Sequence, residues 1–310
     1  MRSPVKRRPV VPMGRPAAEL DGLKAGGVQS VDRALTLLEV LGEDEEGYRL
    51  TDLSARTGLS VSTVHRLLTT LEQRRFVQFD PTDGLWHVGG RTFSIGATFV
   101  RRRNFVAPAL PFLRKLRDLT RETANLGVVD DGEVAILAQV ESREIMRAIT
   151  RVGGHVPMVA SALGKAVMAT YAADDVAAIV QRRGMQRHTP RSVIRMSELK
   201  ETLKAVRADG YAVDDEEYVP GLRCVAAVVL DQQGEALAAI SVSGLSSRVP
   251  VERLPVLGRL VGETARALTL ALGGVRSPKV YAQAEIASSR QPGGMPCDEV
   301  HSTAEYTANN

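Results

Sequence analysis

Cysteine is scarce: Cys224 and Cys297 are the two in 310 residues. They stand far apart, and Cys297 lies in a polar stretch, so no structural disulfide is expected. No cysteine or histidine spacing fits a zinc site. The five histidines, His65, His87, His155, His188 and His301, are scattered, and isolated histidines are ordinarily surface or core residues. Aromatic residues make up only 4% of the chain. No apolar run reaches the roughly 18 residues of a membrane span, and the N-terminus lacks the apolar stretch of a secretory signal. These absences argue against a disulfide scaffold, a zinc module and a membrane partner, and set the expectation of a cytoplasmic protein without a cofactor. No internal repeat is evident.

What the chain does have is the composition of a globular protein, 44% hydrophobic and 25% charged, with length for two domains. A net charge of +4 is only mildly basic, so the distribution of charge says more than its sum. Arg2, Lys6, Arg7, Arg8 and Arg15 precede the first acid, Glu19, in an arm (1–27) whose prolines and Gly26-Gly27 pair predict disorder. Arg74, Arg75, Arg91 and Arg101 to Arg103 form further basic groups. Such a pattern suits phosphate contacts, although each residue alone is equally a solvated surface charge.

The stretch 50–70 predicts two short helices meeting at a tight turn. Thr51 is a candidate cap for the first, Leu53 and Ala55 give it an inward face, and Gly58 supplies a positive φ for the stop. Ser60 caps the second. There Val64, Leu67, Leu68 and Leu71 share one face, leaving Ser62, Thr63, His65, Arg66 and Thr69 on or near the other. Small hydroxyls with Arg and His suit a major groove, because they bond phosphates and base edges while the helix backbone approaches closely. Alone, these residues also suit an ordinary helical hairpin with a solvated polar face. The surroundings decide. A leading helix is expected over 30–41, capped by Ser30 with Val31, Ala34, Leu35 and Leu38 inward. Two short strands, 76–79 and 85–88, joined by Asp80-Pro-Thr-Asp-Gly84, form a hairpin wing. The set is a winged helix-turn-helix over 28–90. Its candidate contacts to double-stranded DNA are Thr51, Ser60, Ser62, Thr63, His65, Arg66, Thr69, Arg74 and Arg75.

A connecting helix follows over 91–104, with Phe93, Ile95, Ala97, Phe99 and Val100 richer in apolar surface than a linker requires. A second subunit is its natural partner, since winged helices commonly read paired half-sites. Pro108 and Pro111 open a helix running to about Asn125, with Leu113, Leu116 and Leu119 inward. Strands are expected over 126–129, 133–140 and 147–152, then a loop over 153–157 and a helix opening at Ser161. Helices follow over 174–183 and 197–209, the latter capped by Ser197 and stopped by Gly210. Strands over 224–230 and 236–243 and a helix over 251–272 complete an α+β domain (105–274) with a mainly antiparallel sheet. A disordered tail is expected over 275–310.

The ordered blocks Thr63-Val-His-Arg-Leu-Leu-Thr-Thr-Leu71, Gly153-Gly-His-Val-Pro-Met158, Ser161-Ala-Leu-Gly-Lys165, Gly210-Tyr-Ala-Val-Asp-Asp-Glu-Glu217, Gly221-Leu-Arg-Cys-Val-Ala-Ala227 and Ala239-Ile-Ser-Val-Ser-Gly244 resemble the isocitrate-lyase-regulator (IclR) family of bacterial transcription factors. The resemblance covers about 28–274. It implies a winged helix that dimerises on DNA and a GAF-like effector-binding domain, assembled as a homodimer or homotetramer. It also implies a small carboxylate effector such as glyoxylate or pyruvate. The effector contacts it implies fall on Ala162, Leu163, Asp214, Cys224, Ser241 and Ser243.

The chemistry of those positions is sensible. Amides of Ala162, Leu163 and Gly164 at a helix start suit a carboxylate. Ser241 and Ser243 alternate to one face of a strand. Asp214 can accept a hydroxyl, for instance of a hydrated aldehyde, and Cys224 is a weak donor. Each also has a plain reading: Ser161 as a cap, Cys224 as a small buried hydrophobe, Asp214 as part of an acidic surface run. Where other members carry Gly-Ala after the serine and His after the Met, this chain has Ala162-Leu163 and Met158-Val159; a Leu163 facing the pocket would favour a two- or three-carbon acid. The expected function is a DNA-binding regulator of a metabolic operon, by default a repressor relieved by glyoxylate, with activation as the other sign and regulation of aromatic-acid or allantoin catabolism as the alternative. Two other classes stand further off: an enzyme with Cys224 as nucleophile and His155 or His188 as base, and an architectural protein binding DNA through its basic arm.

Overall fold

The computed structural model of the chain describes residues 27–101, 104–144 and 151–275. The arm expected before Gly27, the tail beyond Val275, Arg102, Arg103 and most of the strand expected over 147–152 lie outside the described residues.

Three helices, α1 (Gln29–Gly42), α2 (Leu50–Thr57) and α3 (Val61–Gln73), pack around Leu37, Leu41, Leu53, Val64 and Leu68, none more than 1% exposed. Burying each such side chain is worth roughly 1.5–3 kcal/mol. Gly58, at φ 68, stops α2, and Ser60 Oγ accepts the Thr63 amide at 3.3 Å to cap α3, as expected. Other details depart from expectation. α1 follows Val28 rather than a Ser30 cap, and α2 follows Arg49, so Thr51 sits exposed in its first turn and caps nothing. α1 turns Leu37 and Leu41 inward and leaves Val31 and Leu35 more than half exposed, at 55% and 53%. Its leucines offer two overlapping stripes, and the neighbouring helices select the other one. Ala55 is exposed; Thr57 takes the inward place, its hydroxyl donating to the Leu53 carbonyl at 2.7 Å.

The wing is an antiparallel pair, β1 (Val77–Asp80) and β2 (Leu85–Val88), with Val77 opposite Val88 and Asp80 opposite Leu85. Asp80 and Asp83 accept the amides of Thr82 and Leu85, closing the turn. Tyr48 adds a bridge to Trp86 and ties the wing to the three-helix core. α4 (Gly90–Arg101) follows, with Phe93 and Ile95 turned outward at 77% and 49% exposure.

Beyond it, α5 (Val106–Thr120) stops at Arg121, at φ 62, five residues before the expected end; Asn125 therefore lies in the next strand, and Leu119 is 54% exposed. The strands are β3 (Thr123–Asp130), β4 (Glu133–Val140), β5 (His155–Pro157), β6 (Ala212–Asp215), β7 (Leu222–Leu230) and β8 (Ala236–Leu245). They form one antiparallel sheet in the order β5-β4-β3-β8-β7-β6. β5 falls where a loop was expected, and β6 forms where no strand was. Both are edge strands too short to display a period.

One face of the sheet is covered by α5 and α9 (Leu254–Ala271), through Leu113, Leu116, Val225, Ile240 and Val261. The other carries α6 (Ala162–Met168), α7 (Ala173–Arg183) and α8 (Met196–Asp209), the last following Arg195 rather than a Ser197 cap. α6 lies close: a Cβ on Gly164 would sit 2.2 Å from the Met158 carbonyl oxygen, so only glycine allows this approach. The winged helix and the sheet domain touch through Arg151, whose Nη1 donates to the Glu43 carbonyl at 2.6 Å just past the end of α1. No helix among the described residues is long and apolar enough to cross a membrane.

Candidate functional site

Two surfaces collect the residues singled out above. The first is the outer side of α3. Ser60, Ser62, His65 and Arg66 are exposed, and Thr63 and Thr69 are half-buried at the edge of the apolar stripe. Ser60 Oγ lies 3.1 Å from Ser62 Oγ and 2.9 Å from Thr63 Oγ1, so three hydroxyls meet at the start of the helix. Thr69 Oγ1 donates to the His65 carbonyl at 2.9 Å, which leaves its oxygen as an acceptor for outside donors. Arg74 and Arg75 are exposed where α3 turns into the wing, and Arg75 adopts φ 62. They sit roughly 20 Å from Ser60 along a helix rising about 1.5 Å per residue, so they form a separate basic group. Thr51 is outside both groups, on α2.

The second surface lies under α6. Across β6, β7, β8 and β3, Asp214 stands opposite Cys224, Cys224 opposite Ser243, and Ser243 opposite Thr123; the next row holds Ser241 opposite Asn125. Directly paired residues point to one face. Asn125 Nδ2 donates to Ser241 Oγ at 3.3 Å and Ser243 Oγ at 3.1 Å, which turns both O–H bonds elsewhere, and its Oδ1 accepts from Gln139 Nε2 at 2.9 Å. Asn125 and Ser241 are each 1% exposed, Asp214 2% and Ser243 4%. A polar row of this kind costs stability unless it is satisfied or used.

α6 closes the site from above. Ser161 Oγ accepts the Gly164 amide at 3.0 Å, so the cap occupies one of the three amides expected to hold an anion; those of Ala162 and Leu163 precede it. Leu163 points down onto the sheet, its Cδ1 3.3 Å from where a Cβ on Gly127 would lie. Lys165, on the same helix, is fully buried and its ammonium pairs with Glu217 Oε1. Glu217 reaches this pair because its amide donates to Asp214 Oδ1 at 2.8 Å.

The electrostatics follow from depth. Burial pushes Asp214 up to about 7, against the Lys165 charge, which pulls it down. Burial likewise raises Glu217, and the same ammonium opposes it. Burial, then the charge of Asp214, raises the Cys224 thiol far above its ordinary range, which favours the thiol over the thiolate. His155 lies on β5, with three strands between it and β7, roughly 19 Å at about 4.8 Å per strand, so it cannot serve Cys224 as a base. His188 stacks edge-on against Tyr218, ring centroids 5.0 Å apart. Among the described residues no group of three or more His, Cys, Asp or Glu side chains could hold a metal ion.

Sequence reasoning missed Asn125, Gln139, Lys165 and Glu217 as members of this site. Lys165 carried the one available signal: a lone charge in the otherwise apolar run Ala162-Leu-Gly-Lys-Ala-Val-Met168.

Comparison with known proteins bears on both surfaces. Residues 30–81 match the family profile described as the IclR helix-turn-helix domain, and residues 97–270 the one described as bacterial transcriptional regulator IclR C-terminal. The chain is 40% identical over 265 residues to the acetate operon repressor of Salmonella typhimurium, covering 85% of this chain and 97% of that protein. It is 38% identical over 262 residues to the HTH-type transcriptional regulator BhcR of Paracoccus denitrificans, covering 84% and 94%. The solved structure of an IclR transcriptional regulator from Alicyclobacillus acidocaldarius superposes with a TM-score of 0.66 at 27% identity, over 80% of this chain and 100% of that one. With a winged helix joined to an antiparallel sheet domain, and with both parts matched, the chain belongs to the IclR family of DNA-binding transcriptional regulators.

Proposed function

We propose that the chain is a cytoplasmic repressor of a metabolic operon whose hold on its operator is modulated by a small carboxylate, glyoxylate first, bound beneath α6. The observation that carries the effector reading is the polar row Asn125, Ser241, Ser243 and Asp214, buried beside the Lys165 ammonium in a layer whose remaining walls are apolar. Serine hydroxyls, the amides of Ala162 and Leu163, and Lys165 suit an acid's carboxylate, and Leu163 pressing on the sheet restricts its length. Repression as the sign is supported by the Salmonella relative, itself a repressor.

For DNA, Arg66 and the hydroxyl cluster of Ser60, Ser62 and Thr63 are the base readers, with His65 and Thr69 beside them, and Arg74 and Arg75 hold phosphates from the wing end. Thr51 has no part in this reading beyond a backbone contact from α2. The exposed apolar residues of α1 and α4, Val31, Leu35, Phe93 and Ile95, support assembly of a homodimer or homotetramer.

The test is binding of the full chain to the DNA upstream of its own gene, by anisotropy, titrated with glyoxylate and then pyruvate. Release by glyoxylate at concentrations that leave an unrelated winged-helix protein bound is the expected result. Specific binding indifferent to both acids discards the effector.

A further inference from the structure

Glu217 is held at both its backbone and its side chain. Its amide donates to Asp214 Oδ1 at 2.8 Å, and its carbonyl accepts Ser192 Oγ at 2.7 Å and Thr189 Oγ1 at 3.2 Å. Two residues before it, at the end of β6, Asp215 pairs with Arg223 of β7 and with Arg191, and the Glu216 carboxylate accepts the Gly221 amide at 2.8 Å, which holds the turn that carries Glu217. At the far end of the side chain, Lys165 grips Oε1. The other oxygen, Oε2, is buried and accepts no hydrogen bond from any described residue. An unpaired buried carboxylate oxygen is costly, and with both ends of the residue fixed it cannot swing away to find a partner. It is a preformed acceptor, next to Asp214 and under the same ammonium as the proposed effector site.

The chemistry of its partner is narrow. A bare carboxylate is repelled by the Glu217 carboxylate, whose counter-charge, the Lys165 ammonium, is already engaged on Oε1. An ammonium brings three N–H bonds, and among the described residues Oε2 is the one buried side-chain oxygen without a partner. A hydroxyl brings a single O–H to a single acceptor. We propose that Glu217 reads the effector's hydroxyl: Oε2 accepts it from a small 2-hydroxy acid or the hydrate of a 2-oxo acid, while the carboxylate lies against Ser241, Ser243 and the amides before Gly164. This inference rests on the proposed effector site and names its ligand class. It favours glyoxylate over pyruvate, because an aldehyde hydrates far more readily than a ketone.

The test is calorimetric titration of the full chain, wild type and Glu217→Gln, with glycolate, acetate, glyoxylate, pyruvate and glycine. Wild type should bind glycolate and glyoxylate at least ten-fold tighter than acetate, and Glu217→Gln should shrink that ratio below three-fold. Thermal melting monitors the fold, which Gln should keep because an amide oxygen still faces Lys165. If the variant melts early, the wild-type ratio of glycolate to acetate decides alone. Equal binding of glycolate and acetate, tighter binding of glycine than glycolate, or an undiminished ratio in the variant overturns the role of Glu217 and leaves the effector site standing. If none of the acids binds a protein that still holds its operator, the effector site falls, and this inference with it.

Discussion

Burial sets the Asp214 carboxyl well above the usual carboxylate range, from an ordinary 3.8 to about 7, with Lys165 opposing. The folded state therefore prefers the protonated form, and the stability this contributes is full below about 4 and lost as pH rises through about 7. Melting temperature should fall from pH 5 to pH 8 in the wild type, and that slope should flatten in Asp214→Asn; an unchanged slope would assign the titration elsewhere. Effector binding carries the same sign. An anion placed nearby favours protonated Asp214, so glyoxylate affinity should weaken as pH rises through neutrality, and binding should take up a proton.

Lys165 makes a complementary case. Replacing it by Met strands Glu217 and Asp214 without their counter-charge, and should cost roughly 3–5 kcal/mol. Lys165→Met combined with Glu217→Met should recover most of that loss in urea unfolding; failure to recover would mean that the stranded Glu217 charge is not what the loss measures. These residues explain why the site was only half legible beforehand. Ser241 and Ser243 could be paired from strand alternation, but Asn125 was assigned to a helix end, and nothing local told that Lys165 and Glu217, 52 positions apart, would meet.

At the scale of elements, α3 was the most legible because every signal agreed: Gly58, the Ser60 cap and a stripe of Val64, Leu67, Leu68 and Leu71. Arg66 projects from its exposed side. Arg66→Ala should weaken operator binding by roughly 1–3 kcal/mol and relax base preference. An equal loss on random DNA, measured by anisotropy at fixed salt, would reduce Arg66 to a phosphate contact. Where signals competed, expectation slipped. α1 offered two apolar stripes, and α5 continued in pattern until Arg121 turned left-handed. β5 and β6, three and four residues long, have no period to detect, and tertiary pairing alone makes them strands.

At the scale of the molecule, the two-domain α+β architecture was legible from the run of helices and hairpin followed by alternating strands and helices. The contact between the halves was not: among the described residues it includes the Arg151 side chain meeting the Glu43 backbone carbonyl, a pairing with no local signal. Arg151 grips the end of α1 and lies ten residues before Ser161, on the segment that runs through β5 to α6. A ligand under α6 thus has a short path to the DNA-binding half, ten residues of chain and one hydrogen bond. Arg151→Ala should keep operator affinity within about three-fold, roughly 0.6 kcal/mol, yet lower the fraction of complex released by saturating effector. Full release in the variant would place the coupling in α4 instead.

The depth of the polar row also sets a clock. With Asn125 and Ser241 at 1% exposure and Lys165 at zero, a molecule bound there is largely enclosed, and its arrival and departure wait on a local loosening of the layer above the sheet. Occupancy then follows the rate of that loosening rather than the momentary concentration outside. A pulse of metabolite shorter than the waiting time leaves the operator as it was, and a molecule once enclosed outlasts the fall in its supply. Such a regulator averages over its recent past, ignoring brief fluctuations and answering sustained change.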